Sequence, residues 1–204
     1  DAFISGVILY DETIRQDAAD GTPMVKVLSD RAIIPGIKVD KGTQPLAGSP
    51  NELVTEGLDG LAARLDEYVS LGAGFAKWRA LFNVSEGTPS ANCIEVNAHA
   101  LARYAALCQQ AGLVPIVEPE VFMEGGHSIE TCYAATKATL LEVFAQLERQ
   151  GVALEGMLLK PNMVVSASSA SNRASAETVG AMTVDCFKRT IPAAMPGIVF
   201  LSGG

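Results

Sequence analysis

The stretch LEGMLLKPNMV, residues 154–164, has the pattern of a buried β-strand that is interrupted by one charged side chain. Leu158 and Leu159 lead directly into Lys160, and apolar residues resume at Met163. Burial of an ammonium group is costly because the group loses its hydration. Lys160 therefore either marks the point where the strand leaves the core, or has a function in which its protonation is set by its surroundings.

Further strand-like runs alternate with amphipathic helical segments along the chain. The runs lie at residues 4–10, 33–40, 74–82, 113–121 and 197–204. Thr55, Ser90, Ser128 and Ser175 are suitable helix N-caps, for helices that end at Gly72, at Gly112, at Gly151 and before Pro192. This alternation favours parallel strands that are joined by right-handed crossover helices.

A polar residue recurs near the C-terminal end of successive strands. Lys38, Lys77, Glu118, Lys160 and Ser202 are separated by 39, 41, 42 and 42 positions. This spacing favours an α/β fold of the (β/α)₈ TIM-barrel type, and the absence of a G-x-G-x-x-G turn disfavours a doubly wound sheet. We expect residues 1–204 to form a single, partial barrel domain with six βα units, and two units of the barrel to be missing.

Side chains two positions apart on a strand point the same way, so the strand ends carry pairs on a common face. The pairs are Lys38 with Asp40, Lys77 with Arg79, Glu118 with Glu120, and Lys160 with Asn162. In the mouth of a barrel they would bring four cations to three carboxylates, or three to three if Lys160 is neutral. Ion pairs at exposed strand ends are the alternative, but these contribute little stability. Clustering at the catalytic face of a barrel favours an active site.

The residue types in this cluster suit lysine-dependent carbon–carbon chemistry. A neutral lysine amine forms a Schiff base with a ketone or aldehyde, and the iminium then accepts electrons from an adjacent bond. Glu118 or Glu120 could transfer the protons, since no histidine is well placed. Lys38 and Arg79 could bind an anionic substrate, and the N–H groups of Ser202-Gly203-Gly204 could bind phosphate.

Composition disfavours several other classes of protein. The net charge of −8 is spread along the chain, which disfavours binding to nucleic acid or to an anionic membrane. The four cysteines form no C-x-x-C pair, which favours reduced core thiols in a cytoplasmic protein. With only two histidines, a metal site is not expected, and the proposed chemistry requires no cofactor.

Eight motifs, in order, resemble the class I fructose-1,6-bisphosphate aldolase family. They are GIKVDKG (36–42), PLAGS (45–49), GLDGL (57–61), FAKWR (75–79), LARYA (101–105), VPIVEPE (114–120), LLKPNMV (158–164) and FLSGG (200–204). The resemblance implies a TIM barrel, reversible cleavage of fructose 1,6-bisphosphate to dihydroxyacetone phosphate and glyceraldehyde 3-phosphate, and a cytoplasmic homotetramer.

The resemblance also implies roles for individual residues. Lys160 matches the Schiff-base lysine, Glu118 the general acid/base, and Lys77 the lysine that assists carbinolamine formation and cleavage. The expected substrate-binding group is Lys38, Arg79, Glu120, Ser202 and Gly203.

Three features of the family have no counterpart in this sequence: an aspartate on the first barrel strand, an arginine at the eighth, and a C-terminal tail that ends in tyrosine. We therefore expect the chain to correspond to barrel strands 2 to 7. Two alternatives remain open. One is a non-catalytic, aldolase-like scaffold that acts as an interaction partner, and the other is a different lysine-dependent barrel aldolase or a transaldolase.

Overall fold

The computed structural model describes residues 3–200 and contains a five-stranded parallel sheet. Its strands, in spatial order, are β1 (Gly6–Leu9), β2 (Ile34–Lys38), β5 (Phe75–Phe82), β6 (Val114–Val121) and β7 (Leu158–Leu159). Every neighbouring pair in this sheet is parallel. A separate antiparallel hairpin, β3 (Thr43–Pro45) with β4 (Leu53–Thr55), follows β2. The predicted α/β class with parallel strands is confirmed.

Within residues 3–200, six α-helices connect the strands, and three of them directly follow the predicted serines. They are α1 (Asp11–Ile14), α2 (Met24–Ser29), α3 (Leu61–Ser70), α4 (Ala91–Gln110), α5 (Ile129–Arg149) and α6 (Ala176–Thr190). The side-chain oxygens of Ser90, Ser128 and Ser175 each accept a hydrogen bond from the main-chain N–H three residues later, as helix N-caps do.

The prediction that Thr55 caps a helix is wrong. Thr55 is the last residue of β4, and α3 begins only at Leu61, after Gly60 with a positive φ of 65°. The Thr55 hydroxyl instead donates to the main-chain oxygen of Arg79, at 2.9 Å. A side chain that is used to hold a strand against β5 is not free to cap a helix.

The β3–β4 hairpin is held against α4 by buried polar side chains. Glu52 is only 4 % exposed. It accepts hydrogen bonds from the main-chain N–H of Ser90 at 2.6 Å and from the Ser90 hydroxyl at 2.5 Å. Asn97 donates to the oxygen of Leu53 at 2.8 Å and accepts from the N–H of Thr55 at 3.1 Å. These contacts fix the hairpin, and through Thr55 they also support β5 next to Arg79.

The strand predicted at 154–164 is much shorter than expected. Residues Leu154–Gly156 form a 3₁₀ turn, and only Leu158–Leu159 form β7. Pro161 removes a main-chain donor directly after Lys160, which is why the strand cannot continue. The strand predicted at 197–204 is represented by a parallel bridge between Ile198 and Leu159, and residues 201–204 lie outside the described range.

The order of the sheet agrees with a partial barrel. The segment at Ile198 pairs with β7, and β1 pairs with β2. Within residues 3–200, these two ends of the sheet are not paired with each other.

The main core lies between the outer face of the sheet and the helices. Trp78 of β5 is fully buried, and its ring lies 5.5 Å from that of Tyr104 in α4. The Tyr104 hydroxyl donates to the oxygen of Ile116 at 3.2 Å, so α4 is also tied to β6. Truncation of such a buried aromatic side chain to alanine typically costs about 3–5 kcal/mol. This layer therefore fixes β5 and β6, the strands that carry most of the charged cluster.

The four cysteines lie on the helices and are free and buried, as expected for core thiols. Burial raises the pKa of the Cys108 thiol to about 12. Burial likewise raises the pKa of Cys93 and of Cys186 to about 11. Thiols of this kind are poor nucleophiles at neutral pH and act as small apolar groups.

The inner, concave face of the sheet is apolar below the level of the charged residues. It surrounds a cavity of about 480 Å³, whose lining includes Ile34, Phe75, Ile116, Leu158 and Lys160. Lys160 thus lies at the boundary between an apolar layer and the polar strand ends. No helix within residues 3–200 combines the length and the hydropathy that crossing a membrane would require.

Candidate active site

Parallel pairing brings the predicted charged residues together at the C-terminal ends of the strands. The register places Lys38 of β2 opposite Lys77 of β5, and Arg79 of β5 opposite Glu118 of β6. Lys160 follows β7 directly, and its main-chain N–H donates to the oxygen of Val117 at 2.8 Å. Residues that are about 40 positions apart in sequence are therefore neighbours in one cluster.

Glu118 lies between the two lysines for which the sequence predicts catalytic roles. Its side chain is 3 % exposed, and its Oε1 accepts a hydrogen bond from Nζ of Lys160. Nζ of Lys77 lies 2.9 Å from the other oxygen, Oε2, as an ion pair. Glu118 is therefore in direct contact with both lysine side chains, each through a separate carboxylate oxygen.

Asp40 lies in the cluster, as its predicted pairing with Lys38 indicates, although the sequence assigned it no catalytic or binding role. Its Oδ1 lies 2.6 Å from Nζ of Lys38, and its Oδ2 lies 4.0 Å from Nζ of Lys77. Oδ2 also accepts the main-chain N–H of Arg79 at 3.2 Å. The contact with Lys38 agrees with the two-residue spacing, which places both side chains on one face.

Arg79 and Glu120 form a second pair at the rim of the cluster. Nε of Arg79 donates to Oε2 of Glu120 at 2.5 Å. This hydrogen bond raises the pKa of the Arg79 guanidinium above its usual range, against the opposing effect of burial. The Arg79 side chain is 39 % exposed whereas that of Glu120 is 8 % exposed. Glu120 thus holds the guanidinium in place, and part of the guanidinium remains accessible to an anion.

The predicted imbalance of charge is present in the structure. Four cationic side chains (Lys38, Lys77, Arg79 and Lys160) contact three carboxylates (Asp40, Glu118 and Glu120). Five of these seven side chains are no more than 17 % exposed, so their mutual interactions are weakly screened by solvent. The arrangement suits an anionic substrate that reacts with one lysine.

Asn162 does not face the mouth together with Lys160, so that prediction is wrong. Its Nδ2 donates to Oγ1 of Thr136 in α5 at 3.0 Å, and its Oδ1 accepts the main-chain N–H of Val121 at 3.0 Å. The strict alternation of a strand does not extend past Pro161, because β7 ends at Leu159. Ser202 and Gly203, the predicted phosphate-binding residues, lie outside the described residues.

The part of the chain that the structure describes, residues 3–200, contains no group of three or more His, Cys, Asp or Glu side chains that could hold a metal ion. His127 lies in the loop between β6 and α5, and burial lowers its pKa below the usual value. The protein groups that this cluster offers for chemistry are its amines, its carboxylates and one guanidinium.

The fold and the site together define a class of protein. It has a parallel β/α fold of the TIM-barrel family, with paired lysines and carboxylates at the C-terminal ends of its strands. Comparison with known proteins agrees with this class. The family model described as "Fructose-bisphosphate aldolase class-I" matches residues 1–204. The chain belongs to the class I fructose-bisphosphate aldolase family.

Relatives from bacteria and animals match nearly the whole chain. A Xanthomonas campestris pv. campestris protein named "Probable fructose-bisphosphate aldolase class 1" is 64 % identical over 202 residues, which are 99 % of this chain and 60 % of the relative. The non-muscle type fructose-bisphosphate aldolase of Lethenteron camtschaticum is 53 % identical over 98 % of this chain and 55 % of its own length. The chain thus spans only part of these relatives, between 55 % and 60 % of their length.

A solved structure shows the same fold. The fructose-bisphosphate aldolase of Plasmodium falciparum, crystallised in complex with TRAP and a small-molecule inhibitor, superimposes with a TM-score of 0.97 at 49 % sequence identity. The superposition covers 100 % of this chain and 59 % of that protein.

Proposed function

We propose that the protein is a class I aldolase, an aldehyde-lyase that reversibly cleaves fructose 1,6-bisphosphate to dihydroxyacetone phosphate and glyceraldehyde 3-phosphate through a Schiff base on Lys160. The observation that carries this proposal is the buried carboxylate of Glu118, which contacts Lys160 through one oxygen and Lys77 through the other. Family membership supports the same substrate.

The first part of the reaction uses the contact between Lys160 and Glu118. The Lys160 ammonium gives a proton to Glu118, and the free amine attacks the ketone carbon of the substrate. As the new N–C bond forms, Glu118 gives its proton to the carbonyl oxygen and takes one from the nitrogen, and Lys77 stabilises the developing negative charge on that oxygen. Glu118 then donates a proton to the carbinolamine hydroxyl, which leaves as water to give the iminium.

Cleavage of the carbon–carbon bond uses the iminium as the electron acceptor. The C4 hydroxyl loses its proton to Glu118, the electrons of the C3–C4 bond move into the iminium, and the aldehyde product departs. Protonation and hydrolysis of the remaining enamine release the ketone product and return the lysine amine. Every proton is thus exchanged with one carboxylate or with water, and no metal ion or further cofactor enters these steps.

The remaining cluster residues bind the substrate in this proposal. Lys38 and Arg79 bind phosphate or sugar oxygens, and Glu120 keeps Arg79 oriented through their hydrogen bond. Ser202 and Gly203 bind a phosphate group through their N–H groups, as the family resemblance implies. The same resemblance supports a cytoplasmic homotetramer built from single-domain subunits.

Borohydride reduction tests the central step. Purified protein that carries this sequence is incubated with dihydroxyacetone phosphate, reduced, and digested, and the modified peptide is mapped. Stable labelling within LLKPNMV (158–164) is expected, and the Lys160→Met variant should fold normally and take up no label. Absence of labelling on the unaltered protein would contradict the proposal, and labelling that survives in Lys160→Met would show that another lysine reacts.

A further inference from the structure

The main-chain ladder on both sides of β7 is interrupted directly after Lys160. The N–H of Lys160 donates to the main-chain oxygen of Val117. This hydrogen bond continues the parallel register in which Val117 pairs with Leu159. The next donor toward β7 in this register would belong to Pro119, which has no N–H. Pro161 likewise lacks the donor that would extend the pairing with the segment around Ile198. Within residues 3–200, β6 and β7 therefore have no regular ladder between them beyond Lys160, whereas β6 stays paired with β5 as far as Val121.

The side chain of Asn162 takes over one of the missing positions. Continuing the register of β6 with β7 places Asn162 opposite Glu120, so the N–H of Val121 would ordinarily donate to the main-chain oxygen of Asn162. The N–H of Val121 instead donates to Oδ1 of Asn162, at 3.0 Å. A side-chain amide thus replaces a main-chain carbonyl where the strands separate.

The other end of the same amide is fixed to a helix. Nδ2 of Asn162 donates to Oγ1 of Thr136, which is 1 % exposed in α5, and to the main-chain oxygen of Met163, at 3.0 Å in both cases. Asn162 therefore joins the end of β6, the residues that follow Lys160, and α5. An amide whose oxygen and nitrogen are both hydrogen-bonded has little freedom to move.

We propose that Asn162 is a positioning residue that holds Lys160 opposite Glu118 for proton transfer. The inference rests on the proposed function, since it concerns the geometry of the same Schiff-base lysine. Asn162 does not touch the substrate in this proposal. It acts through the strand end that bears Lys160, two residues earlier, and through Val121, which follows Glu120. A displacement of reacting groups by about 1 Å can reduce a rate about 100-fold, so a residue that sets this separation has a large effect on catalysis.

The test uses three variants of the purified protein. Asn162→Leu has nearly the same size but can neither accept the N–H of Val121 nor donate to Thr136. Asn162→Asp keeps an acceptor for Val121, and Thr136 can donate its hydroxyl proton to the second carboxylate oxygen. Thr136→Val is the matched control, because it removes the anchor on α5 and leaves the bond to Val121 in place.

Asn162→Leu is expected to lower kcat by about 10-fold or more while KM changes by less than about 2-fold. The rate of borohydride trapping should fall by a similar factor, yet the final labelling of Lys160 should still be complete. Asn162→Asp should recover a large part of kcat, and Thr136→Val should stay within about 3-fold of the unaltered protein. Melting temperatures establish which variants are folded.

Three results would overturn the inference: an unchanged kcat in Asn162→Leu, a rise in KM that equals the fall in kcat, or an Asn162→Asp variant that is folded and no faster than Asn162→Leu. If Asn162→Leu does not fold, the comparison of Asn162→Asp with Thr136→Val decides, because an Asp variant slower than the Val control by more than about 10-fold contradicts the rescue. Failure of the proposed function gives a different result, since the unaltered protein would then show neither cleavage nor labelling at Lys160.

Discussion

Glu118 has two ammonium partners and only one negative charge to share between them. The carboxylate is buried, so neither Lys160 nor Lys77 can readily exchange it for water. In the proposed reaction, Glu118 takes a proton from Lys160, and Lys77 then still has Asp40 as a second, more distant anion at 4.0 Å. The cluster can therefore change the protonation of one lysine without leaving the other without a counter-ion.

Glu118→Gln tests this role of the carboxylate. The amide keeps the shape of the side chain but cannot accept and return a proton, so kcat should fall by about 10²- to 10⁴-fold, with a much smaller change in KM. Steady-state kinetics with fructose 1,6-bisphosphate measure both constants. Glu120→Gln is the matched control, because Glu120 contacts Arg79 instead of the lysines. A larger loss of kcat in Glu120→Gln, or equal effects on kcat and KM in Glu118→Gln, would reverse the assignment.

Asp40 is predicted to matter for stability as well. Asp40→Ala leaves Lys38 and the main-chain N–H of Arg79 without their acceptor, so the free energy of unfolding should fall by about 3 kcal/mol or more. Asp40→Asn should cost less, since its amide oxygen can still accept one of these hydrogen bonds. Urea denaturation measures both variants. A loss below about 1 kcal/mol in Asp40→Ala would show that these contacts do not hold β2 against β5.

At the scale of single elements, the predictions that depend only on neighbouring residues were correct, and the one that depends on a distant contact was wrong. Ser90, Ser128 and Ser175 each stand directly before a long amphipathic segment, so their role as helix caps could be predicted without tertiary information. Thr55 has the same local preference, but its hydroxyl is bound to β5. Its role depends on a contact between residues 24 positions apart, which a local pattern cannot reveal.

The loop between β6 and α5 is joined to the loop that follows Lys160. The main-chain N–H groups of Ala167, Ser168 and Ser169 donate to oxygens of His127, Met123 and Gly125, at 3.0, 2.8 and 3.0 Å. Both ring nitrogens of His127 are buried, and within residues 3–200 neither has a hydrogen-bond partner. This is an environment that favours the neutral imidazole.

His127 should therefore make stability depend on pH. Burial lowers its pKa, so the unfolded chain binds more protons than the folded protein just below the unfolded value of about 6.5. The free energy of unfolding should fall as the pH is lowered from 7.5 through 6.5 toward the folded pKa. His127→Leu should lose less stability over the same interval, as measured by urea denaturation at each pH. An identical pH dependence in the two proteins would exclude His127 as its source.

At the scale of the whole molecule, most of what could be predicted about the fold and the site came from one pattern, the recurrence of a polar residue about every 40 positions. It identified the parallel α/β fold and brought Lys38, Lys77, Glu118 and Lys160 to one end of the sheet, because parallel strands place their carboxyl ends together. The hairpin of β3 and β4 was not predicted, since its strands of three residues each are too short to show a period. Asn162 was misplaced because the prediction extended the alternation of a strand beyond its end at Leu159.

Trp78 lies on the opposite face of β5 from Lys77 and Arg79, and it is the only tryptophan in the sequence. Its indole is fully buried beside Tyr104, so tryptophan fluorescence reports on one position in the layer between sheet and helices. Its fluorescence emission should be blue-shifted in the folded protein and should move to longer wavelength on denaturation, because the indole then meets water. Dihydroxyacetone phosphate, which would occupy the other face of the strand, should leave the emission maximum essentially unchanged, because the indole is completely buried. A clear shift on addition of this ketose would mean that events at Lys160 are transmitted through β5 to the helices.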